Sequence, residues 1–261
     1  MTRIAIHGAA GRMGKRLIAL AAADAEFSLV AAVESPGHAQ LGEDAGTIAG
    51  VGSLGVPLSS ALDADADVVI DFSLPEAAES IIEACRQKNV PLVVATTGLD
   101  EDQMSKLRAA AREIPLLWAP NMSLAVNLAM KLSEVAAAAL KDRDADVEII
   151  ERHHRFKEDS PSGTALQFGR IIAQVMGQGQ HRHGRRGRIG PRPHDEIGYH
   201  AIRTGDNPGE HTVIFAMPGE MLEITVRATN RDCYASGALA AAKFLVGKGP
   251  GVYGMNDVLG L

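Results

Sequence analysis

The sequence predicts an α/β protein in which a doubly wound parallel sheet is followed by a second, α+β domain. Three observations favour this fold class. Short apolar runs alternate with helical periodicity up to Asn121, the pattern then changes, and later strand-like runs follow one another without helices. Near-continuous apolar strands separated by helices are typical of a parallel sheet covered on both faces. With 46% hydrophobic and 22% charged residues among 261, the chain is neither disordered nor collagen-like.

In the first half of the chain, strand-like runs and helical stretches take turns. The predicted strands are residues 2–6, 29–33, 68–72, 92–96 and 116–119. The predicted helices are residues 12–23, 76–89 and 101–112. Asp100 and Gln103 form a capping-box signature that marks the start of the third helix.

In the second half, strands cluster. A long alanine-rich helix (123–140), a strand (147–151) and a helix opened by Ser162 or Thr164 (162–176) come first. Residues 177–195 are rich in Gly, Arg and His without periodicity, which predicts a mobile loop. The remaining predicted elements are strands 196–202, 211–217 and 220–228 and a final helix, 231–246. This order favours an α+β domain with a largely open sheet.

A glycine-rich loop joins the first strand to the first helix. Its residues are Gly8, Ala9, Ala10, Gly11, Arg12, Met13 and Gly14. Glycines there let the backbone approach a pyrophosphate, which the helix N-terminus attracts. The spacing is G-x-x-G-x-x-G, so a purely structural tight turn is the alternative. Glu34, 20 residues beyond Gly14, favours a Rossmann-like dinucleotide site because an acid there hydrogen-bonds the adenosine ribose.

Two further loops follow later strands of the same sheet. Their residues are Ala95, Thr96 and Thr97 in one loop, and Ala119, Pro120, Asn121 and Met122 in the other. In such sheets the ligand crevice lies beyond the carboxyl ends of the strands. Both loops are therefore candidates for the nicotinamide side of a cofactor, with an ordinary connecting loop as the alternative for each.

The densest group of reactive side chains lies in residues 151–165. The candidates are His153, His154 and Lys157 after a strand, and Gly163 and Thr164 at a helix start. Helix-start amides and a hydroxyl can receive a carboxylate, while lysine and histidine add charge or exchange a proton. A basic surface loop before a capped helix is the alternative. We expect no metal site, because no cysteine or acid completes a ligand set.

At these motifs the sequence resembles the dihydrodipicolinate reductase family, along its whole length. The matching segments are residues 8–14, 71–73, 95–98, 151–165 and 209–212. The His-His-x-x-Lys-x-Asp-x-Pro-Ser-Gly-Thr-Ala segment is highly specific to that family. In two departures, Ala95 stands where the family usually has glycine, and Ser35 where many members have arginine.

The resemblance implies an NAD(P)H-dependent oxidoreductase of lysine and diaminopimelate biosynthesis. It would reduce a cyclic, unsaturated dicarboxylate to tetrahydrodipicolinate, with loss of water from the hydroxylated ring. The family pattern assigns proton donation to His153, and proton donation or substrate polarisation to Lys157. It assigns binding of the substrate carboxylates to His154, Gly163 and Thr164.

The resemblance also implies a domain division and an assembly. The dinucleotide-binding domain would be discontinuous, residues 1–122 plus 233–261. Residues 123–232 would form a substrate-binding and oligomerisation domain, whose sheet assembles a homotetramer.

Cofactor choice depends on Glu34 and Ser35. A carboxylate suits the ribose hydroxyls of NADH, whereas Ser35 offers no counter-charge to the 2′-phosphate of NADPH. We therefore expect both cofactors to be used, with NADH preferred. Two rival functions stay open: another nicotinamide-dependent dehydrogenase or imine reductase, and a non-catalytic dinucleotide sensor. The sensor is disfavoured because binding alone would not require both His153 and Lys157.

Charge and hydropathy argue against nucleic acid and membrane as binding partners. A formal net charge of −6 argues against nucleic acid, so the arginines of residues 182–192 suggest a solvated loop. No apolar run approaches the ~18 residues of a membrane span, and the first strand leaves no room for a signal peptide. Cys85 and Cys233 are expected to be free thiols of a cytoplasmic protein.

Overall fold

The computed structural model describes residues 1–261, and the chain divides into two compact units. The first unit comprises Met1–Leu124 and Asp232–Leu261, and the second comprises Ala125–Arg231. The chain thus returns to the first unit for its last helices. None of the helices has the length and apolar character needed to cross a membrane.

Twelve strands and eight helices make up the two units. The strands are β1 (Thr2–His7), β2 (Phe27–Val33), β3 (Leu58–Ser59), β4 (Val68–Asp71), β5 (Leu92–Val94), β6 (Pro115–Trp118), β7 (Asp146–His153), β8 (Gln180–His183), β9 (Glu196–Arg203), β10 (Glu210–Met217), β11 (Glu220–Arg227) and β12 (Gly251–Tyr253). The helices are α1 (Arg12–Ala23), α2 (Ala45–Ala49), α3 (Pro75–Lys88), α4 (Glu101–Ala110), α5 (Leu124–Leu140), α6 (Gly163–Met176), α7 (Asp232–Leu245) and α8 (Met255–Leu259).

The first unit contains a seven-stranded parallel sheet of order β12-β6-β5-β4-β1-β2-β3. Side chains from α1 and α7 form a core on one face, and side chains from α3 and α4 form a core on the other. Buried on both faces, strands such as β4 are apolar without alternation. The predicted doubly wound, Rossmann-like fold is confirmed.

The predicted capping box at the start of α4 is also confirmed. The Gln103 N–H donates to Asp100 Oδ1 at 2.8 Å, and the Asp100 N–H donates to Gln103 Oε1 at 3.0 Å. These two bonds satisfy amide groups that would otherwise have no partner at a helix start.

The second unit contains a five-stranded mixed sheet of order β11-β10-β7-β9-β8. β10 pairs antiparallel with both β7 and β11, whereas β9 pairs parallel with both β7 and β8. Phe168 of α6 packs in one core with Tyr199 and Phe215 of the sheet. The predicted α+β character of this region is confirmed.

The prediction of a loop over residues 177–195 is wrong at residues 180–183. These residues form β8, an edge strand whose four residues are all exposed. Because nothing on β8 is buried, its sequence carries no apolar alternation, and its strand state comes from pairing with β9. Arg185 and Arg192 of the same segment are tied to the carboxylate of Glu148, at 2.6 Å and 3.0 Å. The segment is therefore anchored rather than simply solvated.

Candidate active site

Glu151 and His153 lie on the buried face of β7. Side chains two residues apart on a strand share a face, and burial along β7 alternates strictly. The strand continues to His153 rather than ending at Glu151 as predicted. Nδ1 of His153 lies 2.6 Å from Oε2 of Glu151. The strand itself thus places a carboxylate beside an imidazole.

The Glu151 carboxylate is buried and collects further donors. Arg203, at the end of β9, donates to both of its oxygens at 2.8 Å and 2.7 Å, and the Ser162 N–H donates at 3.1 Å. Burial by itself would raise the pKa of Glu151, but the hydrogen bonds from His153 and Arg203 outweigh it and lower the pKa to about 2. Glu151 is therefore a fixed negative charge.

This carboxylate determines the orientation of the His153 ring. An ionised carboxylate only accepts hydrogen bonds, so Nδ1 of His153 carries a proton and Nε2 is left to exchange one. Gly209 lies beside Nε2, where a Cβ on residue 209 would come within 3.0 Å of that atom. Gly209 has φ +153°, which also favours glycine. A side chain at residue 209 would crowd the proton-exchanging nitrogen.

Ser162 connects this pair to the start of α6. It is the N-cap residue, with Oγ accepting from the Ala165 N–H at 3.2 Å and lying 3.0 Å from Nε2 of His211. Burial, followed by the charge of His153, lowers the pKa of His211 to about 4. His211 is therefore neutral at pH 7, with its ring edge-on to His153 at 5.2 Å between centroids.

The predicted substrate residues lie on the segment that runs from the end of β7 to the first turn of α6. No atom comes within 4 Å of the position that a Cβ would take on Gly163, so the space above it is open. Nδ1 of His154 is buried and makes no hydrogen bond. Nζ of Lys157 donates to Asp159 Oδ1 at 2.7 Å and thereby lowers the pKa of Asp159. Thr164 follows Gly163 in the first turn of α6.

The buried acid and imidazole make the stability of the protein depend on pH. Glu151 has a lowered pKa, so its contribution is present above its ordinary value of 4.5 and is lost as the pH falls towards 2. His211 also binds its proton less readily when folded, which lowers stability as the pH falls from 6.5 to 4. We expect the free energy of unfolding in urea to decrease steadily from pH 7 to pH 4.

The variant His211→Gln serves as the control for this pH dependence. The glutamine amide can still contact Ser162 but does not titrate. We expect a flatter dependence between pH 6.5 and 4 in this variant. Equal slopes for the variant and the parent protein would contradict the assignment.

Four residues of this cluster were not predicted as site residues: Glu151, Arg203, Gly209 and His211. A signal was present for Glu151: it ends the predicted strand two residues before His153, and a strand that continues to residue 153 places both side chains on one face. Arg203 and His211 come from other strands. They reach the cluster because His153 aligns with Arg203 in β9 and Glu151 aligns with His211 in β10.

In the first unit, the glycine loop forms a close-packed turn at the end of β1. A Cβ on Gly8 would come within 2.7 Å of the Phe72 carbonyl oxygen, and one on Gly14 within 2.6 Å of the Ala9 carbonyl oxygen. The N-cap residue of α1, Gly11, offers no side-chain cap. First-turn amides of a helix have no partner within the helix, so they are available to an anion. These residues fit the pyrophosphate of a dinucleotide.

Glu34 follows β2 directly and contacts the glycine loop. Its Oε2 accepts a hydrogen bond from the Ala10 N–H at 3.1 Å, and its Oε1 accepts one from the Ser35 N–H at 2.9 Å. Each carboxylate oxygen can accept a second bond. Arg16, a possible counter-charge, is paired with Asp232 through two bonds of 2.7 Å and 2.8 Å. Glu34 therefore contacts the glycine loop, while the positive charge of Arg16 is engaged by Asp232.

The other two predicted cofactor loops, residues 95–97 and 119–122, each contain both exposed and buried residues. Thr97 and Pro120 are exposed, whereas Ala95, Thr96, Ala119 and Met122 are buried. The Thr96 hydroxyl donates to Asp71 Oδ2 at 2.7 Å, so it points into the protein. Asn121 accepts from the Ser123 N–H at 2.9 Å. The buried residues can offer a ligand only their backbone.

A doubly wound sheet with this glycine loop, together with a buried Glu–His pair, defines an oxidoreductase of the dinucleotide-using class. Comparison with known families agrees. The family model for the N-terminus of dihydrodipicolinate reductase matches residues 2–122, and the model for its C-terminus matches residues 125–259. The chain belongs to the dihydrodipicolinate reductase family, a family of pyridine-nucleotide-dependent reductases.

Individual relatives cover nearly the whole chain. The 4-hydroxy-tetrahydrodipicolinate reductase of Rhodopirellula baltica is 56% identical over 268 residues, covering 99% of this chain and 96% of the relative. The enzyme of the same name from Alkalilimnicola ehrlichii is 52% identical over 266 residues, covering 100% and 99%.

Two solved structures resemble this chain over nearly its whole length. Dipicolinate-bound dihydrodipicolinate reductase from Paenisporosarcina sp. TG-14 matches with a TM-score of 0.79 and 25% identity, over 97% of each chain. An amine dehydrogenase from Mycobacterium smegmatis matches with a TM-score of 0.64 and 11% identity, over 97% of this chain and 94% of that chain. The second likeness concerns the fold alone.

Proposed function

We propose that the protein reduces 4-hydroxy-tetrahydrodipicolinate to tetrahydrodipicolinate, as the reductase of lysine and diaminopimelate biosynthesis in the cytoplasm. One molecule of NAD(P)H, one proton and the substrate give the product, one NAD(P)+ and one water. The observation that carries the proposal is the buried Glu151–His153 pair beside the open helix start at Gly163. The names of relatives that are 56% and 52% identical support it.

His153 is the proton donor in this proposal. With Nδ1 held by Glu151, only Nε2 can deliver a proton to the substrate. A proton must be supplied because hydride addition leaves negative charge on the substrate. Glu151 positions the ring, and its negative charge balances the charge of a protonated imidazole.

The substrate is a dicarboxylate, and the second unit offers groups that suit two carboxylates. Lys157 supplies a positive charge, and the amides at the start of α6, from Gly163 and Thr164, supply donors. The unpaired Nδ1 of His154 is a further polar atom of the same segment. Lys157 also polarises or protonates the reacting ring. The dipicolinate-bound relative supports an aromatic dicarboxylate as a mimic of this substrate.

NADH, with NADPH as the poorer alternative, supplies the hydride when bound. The residues proposed to hold the cofactor are Gly8, Ala9, Ala10, Gly11, Arg12 and Met13 of the glycine loop, Glu34, and the loop residues Ala95, Thr96, Thr97, Ala119, Pro120, Asn121 and Met122. In this proposal the glycine loop holds the pyrophosphate and Glu34 holds the adenosine ribose.

An absorbance assay tests the proposed function. The cyclic substrate is made enzymatically from pyruvate and aspartate semialdehyde and is added to the protein with NADH. We expect NADH absorbance to fall only when the cyclic substrate is present. Consumption of NADH with a simple imine but not with this dicarboxylate would favour an imine reductase. NADH binding without any consumption would favour a sensor.

Cofactor preference gives a second prediction. Glu34 and a 2′-phosphate ~4 Å apart would repel by about 4 kcal/mol at an effective dielectric of ~20, before screening. Arg16 is held by Asp232, so relief from that side chain would require breaking an ion pair. We expect kcat/KM to favour NADH by between a few-fold and about a hundredfold, because screening and Arg12 remove part of that repulsion.

The variant Ser35→Arg should move this ratio towards NADPH. A hydrogen bond to a charged group is worth about 1.5–3 kcal/mol, which sets the upper limit of the shift. Ser35→Gln is the matched control, since it adds length and hydrogen bonding without charge. The measurement is kcat/KM for each cofactor at low salt. An NADPH preference in the parent protein would contradict the role given to Glu34.

Assembly gives a third prediction. Val213 and Phe215 of β10 face the core, whereas Thr212, Ile214 and Ala216 lie on the opposite face. No helix of the second unit's core covers this opposite face, so a second subunit would bury its apolar side chains. We expect light scattering at micromolar concentration to give four times the 27.5 kDa of one chain. A mass of 27.5 kDa would contradict the homotetramer.

A further inference from the structure

A second acid–imidazole pair lies in the first unit, directly beneath the glycine loop. His7 is the last residue of β1 and Asp71 is the last residue of β4, and the two align in the parallel ladder. Nδ1 of His7 lies 2.7 Å from Oδ1 of Asp71, and their side chains are 5% and 0% exposed. A polar group buried this deeply requires hydrogen-bond partners.

Asp71 collects its donors from three neighbouring strand ends. Besides His7 at the end of β1, these donors are the Ser73 N–H after β4, at 3.1 Å, and the Thr96 hydroxyl after β5, at 2.7 Å. A single carboxylate thus joins the residue before the glycine loop to a residue inside the second cofactor loop.

The backbone around His7 transmits its position to the glycine loop. The Phe72 N–H donates to the His7 carbonyl at 3.1 Å, and the Gly8 N–H donates to the Val33 carbonyl at 2.9 Å. Gly8 is packed so closely on Phe72 that even a Cβ would not fit. A displacement of His7 would therefore move Gly8, because the close contact between Gly8 and the Phe72 backbone leaves no free space between them.

We propose that His7 is a positioning residue for the dinucleotide: through Asp71 and Thr96 it fixes the glycine loop relative to residues 95–97. This inference rests on the proposed function, in which both loops hold the cofactor. Loops that are already fixed do not have to be ordered on binding, so loss of the His7–Asp71 bond lowers cofactor affinity. The hydride-transfer step itself does not involve His7.

Two nearly isosteric variants separate hydrogen bonding from packing. The asparagine amide of His7→Asn can donate from about the position of Nδ1, whereas His7→Leu fills the same space without a donor. We expect His7→Leu to raise the dissociation constant of NADH about 2- to 30-fold, the range for residues that act on a site through neighbours. His7→Asn should remain within about twofold of the parent protein. Substrate KM and kcat at saturating NADH should be unchanged in both.

The Asp71→Leu background shows whether His7 acts through Asp71. If it does, adding His7→Leu to Asp71→Leu, in which residue 71 can no longer accept a hydrogen bond from His7, should leave the NADH dissociation constant where Asp71→Leu alone puts it. A further weakening would overturn the proposal, as would parent-like NADH binding by His7→Leu. If His7→Leu alone fails to fold, the double variant carries the test, since it leaves no unpaired buried charge.

These experiments distinguish a failure of the role proposed for His7 from a failure of the proposed function. A parent protein that binds NADH and reduces the dicarboxylate, with His7→Leu binding NADH equally well, would overturn only the role of His7. A parent protein that does not bind NADH would overturn both the proposed function and this inference.

Discussion

Replacement of His153 by alanine is expected to lower kcat by about 10²- to 10⁴-fold, the usual range for a positioned general acid. The imidazole is held by Glu151 at 2.6 Å, and neither Glu151 nor His211 can replace it as proton donor. Glu151 is held ionised by Arg203, and His211 is neutral because burial lowers its pKa to about 4. NADH binding should be unchanged, since His153 does not belong to the glycine loop.

Steady-state kinetics at saturating substrate and NADH measure this effect. His194→Ala is a matched control, because His194 lies on an exposed loop and pairs only with Asp144. We expect the control to keep parent-like turnover. If kcat of His153→Ala stayed within about threefold of the parent value, far below the general-acid range, His153 would not be the proton donor.

Replacement of Lys157 by alanine is expected to weaken productive substrate binding. A charge-assisted hydrogen bond to a carboxylate is worth about 1.5–3 kcal/mol, which is roughly a 10- to 150-fold loss in kcat/KM. In the structure Nζ of Lys157 is paired with Asp159. A substrate carboxylate would therefore either replace Asp159 or bind Lys157 together with it. Lys141→Ala removes an exposed lysine from the same unit and should have no such effect.

The variant Lys157→Arg distinguishes the two roles proposed for Lys157. Arginine keeps the charge and can bind a carboxylate, but it does not give up a proton at accessible pH. If Lys157→Arg has the KM of the parent protein but a reduced kcat, Lys157 protonates the substrate. If both constants equal those of the parent protein, Lys157 only binds and polarises the substrate. An unchanged kcat/KM in Lys157→Ala would remove this residue from the site.

The parallel sheet could be predicted because its strands are buried on both faces. Val68–Asp71 has no polar alternation, and the helices around it carry recognisable starts, such as the capping box of Asp100. β8 could not be predicted, since its side chains are all exposed and only its pairing with β9 makes it a strand. The two-residue strand β3 is too short to produce a pattern.

The candidate site could be predicted where it is contiguous in sequence. His153, Lys157 and Gly163 belong to one segment, and their types and spacing already indicate acid–base and anion-binding chemistry. Arg203 and His211 could not be predicted. They meet Glu151 only because β9 and β10 pair with β7 in a particular register, and strand register is set by packing that a single sequence does not show.

The pair of His7 and Asp71 illustrates the same limit in the other unit. His7 directly follows the predicted strand 2–6 and Asp71 lies one residue before the end of the predicted strand 68–72, so each could be placed near the carboxyl edge of the sheet from sequence. Their contact depends on β1 and β4 being neighbours, a consequence of the strand order rather than of the chain order.

Isotope transfer from NADH shows whether the protein delivers a hydride to the cyclic dicarboxylate. The protein is incubated with NADH carrying deuterium at the transferable position of the nicotinamide, and with enzymatically prepared 4-hydroxy-tetrahydrodipicolinate. Mass spectrometry of the product should find tetrahydrodipicolinate carrying a single deuterium, with one water lost for each NADH oxidised. NADH oxidation without deuterium in the product, or no oxidation in the presence of this substrate, would show that the protein is not a reductase of this dicarboxylate.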